Sequence, residues 1–136
     1  MSQENVEVVR RGWEAINREG LPAALRLVDE VVDPDIELRA TGRLPDVGRV
    51  RGHEAFKKWF AQILGTFEWR LEADEFIDAG DAVVVVARQV TRGRASGVEV
   101  ISRPVFVYGF RGGKVTYIDA HRTKSEALEA AGLRDG

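Results

Sequence analysis

Asp119 and His121 lie two residues apart near the end of the last alternating segment, Lys114 to Arg122. Residues two apart in an extended strand point to the same side, so Val115, Tyr117, Asp119 and His121 are expected to share a face. A carboxylate among such neighbours is partly withdrawn from water. That raises its pKa and suits it to proton transfer. A histidine beside it titrates near neutrality and could share the proton. The alternatives are structural: an ion pair between Asp119 and a strand-end arginine, and a half-exposed His121. Asp119-x-His121 also offers two metal ligands. No third is evident along the chain, so no metal and no cofactor are expected.

Arg88 follows four valines, Val83 to Val86, and shares its expected face with Val84, Val86 and Val90. A guanidinium on an otherwise apolar face requires a partner. Asp119, a ligand oxyanion or a structural carboxylate clamp would each serve. Trp13 falls on a stripe with Val6, Val9 and Ile16 at helical spacing. It is expected in the core, where its indole N–H could still donate into a pocket. His53 opens a helical segment and is expected to be exposed in the first turn. Other chemistries are excluded. There is no cysteine, hence no thiolate or disulfide. Gly109 to Lys114 has the wrong spacing for a phosphate loop and lacks its Ser/Thr. No nucleophilic serine elbow is present.

The elements that must position these residues follow from periodicity. A first helix carries the Val6–Ile16 stripe and stops at Gly20. A second begins near Pro22 and runs through Val32, with Pro34 closing it. Ile36 and Leu38 alternate with charged residues as a short strand, and Thr41 to Gly52 reads as a loop. His53 to Leu64 is a third helix, with an apolar face that includes Trp59 and Phe60. Strands are expected at 67–78, 82–92, 98–110 and 114–122, the last two joined by the Arg111-Gly112-Gly113 hairpin turn. Thr123-Lys124-Ser125-Glu126 has the form of a capping box opening a last short helix. Helices set apart from a mainly antiparallel sheet mean an α+β fold, in a single domain over 1–136.

A chain that is 44% apolar and 31% charged, with net charge −2, has an ordinary globular composition. Its basic residues are scattered, which argues against nucleic acid as a partner. The polar start lacks a secretion signal, and the longest aliphatic run is too short to span a bilayer. The expectation is a soluble cytoplasmic protein with no membrane partner.

Three segments carry a resemblance. Val50-Arg51-Gly52-His53-Glu54-Ala55-Phe56, Phe110-Arg111-Gly112-Gly113-Lys114-Val115 and Glu126-Ala127-Leu128-Glu129-Ala130-Ala131-Gly132-Leu133, in that order, are similar to the nuclear transport factor 2-like superfamily. Its SnoaL-type polyketide cyclases, ketosteroid isomerases and limonene epoxide hydrolases belong to this group. The resemblance implies a cone, in which a curved sheet wraps the N-terminal helices around an apolar pocket. It also implies homodimers through the sheet's outer face. Asp119 falls where the epoxide hydrolases keep a catalytic carboxylate, and Arg88 where they keep an arginine. Val90 replaces their second aspartate, which argues against epoxide hydrolysis. Trp13 takes the place of an isomerase tyrosine. Arg39 and Phe106 stand where the isomerase has its base and its protonated aspartate, which argues against steroid isomerisation.

Two roles follow from the resemblance. In the first, the chain is a cofactor-free cyclase or isomerase acting on a small apolar oxygenated molecule. Asp119, Arg88 and His121 would be catalytic, and Trp13, Arg39, Phe106, Tyr117 and Val90 would line the pocket. In the second, it binds a hydrophobic small molecule without turnover. A protein-interaction module is a third possibility.

Overall fold

The computed structural model describes residues 2–39 and 49–133. The chain runs α1 (Ser2–Glu14), a π-helical turn (Ala15–Glu19), α2 (Leu21–Val31), β1 (Val32–Arg39), β2 (Arg49–Arg51) and α3 (His53–Thr66). It continues through β3 (Phe67–Asp78), β4 (Ala82–Gly93), β5 (Glu99–Ser102), β6 (Val105–Arg111), β7 (Lys114–His121) and α4 (Lys124–Ala130). The sheet order is β2-β1-β7-β6-β4-β3, with β5 also paired to β4. Among the described residues, only β1 and β7 pair in parallel. The result is the expected α+β architecture: N-terminal helices against a curved, unclosed, mostly antiparallel sheet.

Three irregularities bend the sheet. Register shifts lie between Val32 and Glu37 in β1, between Ala73 and Glu75 in β3, and between Gly109 and Phe110 where β6 meets β7. Each extra residue sharpens the local twist. The single strand expected over 98–110 is two strands. Pro104 interrupts it because it has no N–H for the ladder, although its carbonyl still accepts from Ala87 N at 3.1 Å.

Two other boundaries differ from expectation. Val32 begins β1 and does not end α2, and Pro34 lies inside β1. Pro34 falls in the irregular stretch between the paired residues Val32 and Glu37, where its missing donor is tolerated. The expected loop over 41–52 falls largely outside the described residues, but its end forms β2 and pairs with β1. The last helix is capped as expected. The Thr123 hydroxyl accepts from Glu126 N at 3.1 Å, and the Glu126 carboxylate accepts from Arg122 N at 3.3 Å.

Strand alternation divides the core in two. On β4, Val83, Val85 and Ala87 face the helices, packing with Val9, Trp13 and Phe56. Ala82, Val84 and Val86 face the other way, packing with Val107 and the α4 residues Ala127 and Leu128. The helix side is called inner below, and the α4 side outer.

Candidate functional site

Between the helices and the inner face lies a cavity of about 100 Å³. Val9 and Trp13 reach it from α1, Val28 from α2, Trp59 from α3, and Phe106 and Tyr108 from β6. The three-and-four spacing of the helices and the two-residue period of the strands aim these side chains at one space. Among the described residues, no lining side chain is charged. The Trp13 indole donates to the Tyr108 hydroxyl at 2.8 Å, and Trp13 meets Phe106 edge-on, with centroids 5.8 Å apart. Burial pushes the Tyr108 pKa well above its ordinary value, and the Trp13 donor only partly offsets this. Tyr108 is therefore a neutral hydroxyl at any physiological pH.

Of the residues expected in the pocket, Trp13 and Phe106 line the cavity, whereas Arg39, Tyr117 and Val90 do not. The bulge accounts for Tyr117. Phe110 pairs with Val115 but Gly109 with Tyr117, so Thr116 is the extra residue. Val115 therefore turns inward while Tyr117, Asp119 and His121 turn outward, and the single face expected for all four is broken. Arg39 is outward because its neighbour Leu38 is in the inner core. Val90 continues the outward set of Val84 and Val86.

The expected meeting of Arg88 with Asp119 does not occur. Arg88 Nη1 donates to Glu72 Oε1 at 2.5 Å, directly across from it on β3. The guanidinium beside Asp119 is that of Arg39, with Nη1 3.6 Å from Asp119 Oδ2. His121 Nε2 is 3.8 Å from the same oxygen. Both distances exceed hydrogen-bond range. Asp119 Oδ1 and His121 Nε2 are buried without a hydrogen-bond partner among the described residues. Burial raises the pKa of Asp119, and the charges of Arg39 and His121 oppose it. Arg39 also donates to Glu37 at 2.9 Å and lies over the Tyr117 ring at 4.1 Å. That ring occupies the space a Cβ on Gly109 would need. His53, expected to be exposed, is partly buried. Its Nε2 lies 2.6 Å from the Val32 carbonyl, which can only accept, so the ring donates there.

The sequence matches the SnoaL-like domain family over residues 9–118. The chain belongs to the SnoaL-like family. Its fold recurs in solved structures. An NTF2-like protein of unknown function from Burkholderia pseudomallei K96243 is 25% identical, over 93% of this chain and 95% of that one, with TM-score 0.73. A proposed SnoaL-like polyketide cyclase from Jannaschia sp. CCS1 is 20% identical, over 96% and 92%, with TM-score 0.76. RV0760c from Mycobacterium tuberculosis, solved with estradiol-17β-hemisuccinate, is 14% identical, over 89% and 95%, with TM-score 0.71. No curated protein sequence matches the chain.

Sequence reasoning passes over the polar side chain of this SnoaL-like cavity, Tyr108. Tyr108 could have been found, since it lies two residues from Phe106 on the same strand and must share its face. Trp59 was assigned to the core stripe of α3, which is correct for its ring and silent about its N–H. Among the described residues of this SnoaL-like chain, no third metal-ligating side chain joins Asp119 and His121. No described helix is long and apolar enough to cross a membrane.

Proposed function

We propose that this SnoaL-like chain binds a small, mostly apolar molecule in the cavity between its helices and sheet, without acid–base turnover there. The observation that carries this reading is the lining itself, which among the described residues is apolar and aromatic with no charged side chain. Such a space has the character of a small-molecule site. The space of about 100 Å³ is only partly enclosed, so a guest larger than one ring can enter with part of its skeleton toward the opening. A cyclase or isomerase would need an acid or base in reach of the bound molecule. Tyr108 is too weak an acid, and Asp119 and His121 face the opposite side of the sheet. The mycobacterial protein holds a steroid hemisuccinate, a mostly apolar molecule with one acid group, which supports a small-molecule reading of this fold.

Tetralin, a rigid apolar bicycle, is a suitable probe, with calorimetry or tryptophan fluorescence as the readout. Gly12 lines the cavity, and a Cβ added there meets no atom within 4 Å. Gly12→Leu therefore fills space without a backbone clash, and leucine is a better helix former than glycine. The expected result is saturable one-to-one binding, weakened roughly tenfold or more in Gly12→Leu as contact area is lost. Absence of saturable binding, or equal affinity in the variant, refutes the proposal.

A second reading has its own observation. Val98, Val100 and Ile101 on and beside β5 are 61%, 56% and 51% exposed. Exposed apolar side chains at a strand with one free edge suit association, including with a second copy. Sedimentation across a concentration series, with Val100→Asp as control, tests whether this surface dimerises.

A further inference from the structure

The burial of the cavity's wall shows where it opens. On α1, the lining residues Val9 and Trp13 are buried, whereas Val8 and Gly12 are partly exposed. On α2, Val28 is buried, whereas Leu27 and Val31 are partly exposed. Val8 and Gly12 are one turn apart, as are Leu27 and Val31, so each pair forms a strip along its helix. Arg11, beside Gly12, reaches Glu30, beside Val31, with Nη2 3.4 Å from Oε2. The two strips therefore flank the seam between α1 and α2. Gly12 leaves a gap in that seam, because a Cβ there would meet no atom within 4 Å.

The rim of this seam is charged, although the wall behind it is not. Two cations flank Glu30. Arg11 meets its carboxylate, and Lys114 Nζ donates to its backbone carbonyl at 3.1 Å. Lys114 opens β7 next to Val115, which lines the cavity. Among the described residues, no carboxylate pairs with Lys114. The neighbouring carboxylates are already matched. Glu7, one turn before Arg11, pairs with Arg10 at 3.2 Å, and Asp29, beside Glu30, pairs with Lys57. The rim thus sets two cations against one carboxylate. The Arg11–Glu30 pair is itself easily exchanged. Its side chains are 54% and 65% exposed, and an ion pair so open to water gains little over the separated, hydrated charges.

Resting on the binding function proposed above, we infer that the guest is an amphiphile with an apolar body in the cavity and a carboxylate at the α1–α2 seam, where Arg11 and Lys114 receive it in place of Glu30. The buried body tethers the carboxylate at the rim, so its effective concentration there is high and it competes with Glu30 on favourable terms. Glu30, released, returns to water at little cost. A guest ending in an ammonium group would instead meet two like charges and is selected against. The cavity wall thus sets the apolar part of the guest, and three rim residues outside it set the charge of the protruding end.

The test compares 4-phenylbutanoate with 4-phenylbutanamide, two probes of nearly the same shape that differ in charge at one end. Calorimetry at pH 7 gives the ratio of the two affinities in each variant, so a general loss of folded protein cancels. Wild type should bind the carboxylate roughly threefold to fivefold tighter in low salt, the effect of an exposed charge contact. The preference should shrink in about 1 M salt, where the Debye length is about 3 Å. The double variant Arg11→Gln/Lys114→Gln should bring the two affinities within about twofold of each other. Glu30→Gln should raise the ratio above that of wild type, because the competing carboxylate is gone. If the Arg11–Glu30 pair were only a brace between helices, breaking it from either side would change the ratio in the same direction. A ratio near one in wild type, a preference that survives the double variant, or a ratio that does not rise in Glu30→Gln would each overturn the inference. Saturable tetralin binding weakened by Gly12→Leu would then leave the apolar site intact. Failure of tetralin and both phenyl probes to bind would remove the binding function and this inference with it.

Discussion

Asp119 shows how the same residue reads differently once its side of the sheet is known. Its carboxylate is buried, with one oxygen unpartnered and the other beyond hydrogen-bond range of Arg39 and His121. Burial raises its pKa, and the neighbouring Arg39 and His121 only partly offset that. A raised folded-state pKa means that the native state holds the proton more tightly than the unfolded chain. The stabilisation is fully present below the unfolded value of about 3.9 and is lost as pH rises through the folded value. Asp119→Asn, which removes the charge at nearly constant shape, should therefore gain stability over wild type as pH rises from 3 to 7. The difference should vanish in the most acidic samples. Urea denaturation at a series of pH values measures this, and a wild type that gains on the variant with rising pH would contradict it. Tetralin affinity should be unchanged by the same substitution, because the carboxylate faces away from the cavity.

Among the elements, the π-helical turn at Ala15–Glu19 does the most for the site. It widens the end of α1 just beyond Trp13 and places Asn17 against the edge strand β3. The Asn17 amide donates to the Leu71 carbonyl at 2.7 Å and accepts from Leu71 N at 2.9 Å. One side chain thereby closes both backbone groups of a residue at the sheet's edge, where no neighbouring strand can. Leu71 also lines the cavity. Asn17→Ala should lower stability by about 1–2 kcal/mol, two net hydrogen bonds with partial access to water. It should also loosen the wall, seen as faster amide exchange at Leu71. Unchanged exchange would mean that the edge is held by other contacts.

At the scale of the molecule, binding in the cavity should register as global stability. A ligand that binds only the folded state at a hundred times its dissociation constant adds about 2.7 kcal/mol. Tetralin should raise the unfolding midpoint of wild type, and raise that of Gly12→Leu by less at equal concentration. Differential scanning fluorimetry can read both cases. Much of this molecule was present in the chain's periodicities. The Val6–Ile16 stripe, the α3 aromatics, the hairpin at Gly112-Gly113 and the Thr123 cap depend on near neighbours in sequence, so local rules sufficed for them. Those rules also grouped Arg88 with Val84 and Val86 correctly, because alternation along one unbroken strand is a local property. They could not say which side of the sheet faces the helices. Nor could they foresee that one extra residue at Thr116 would turn Tyr117, Asp119 and His121 outward together. A strand's parity is fixed by the chain, but the side it presents to the cavity is fixed by bulges and by contacts between residues far apart in sequence. The pairing of Trp13 with Tyr108, 95 positions apart, exists only after the sheet has curled around the helices.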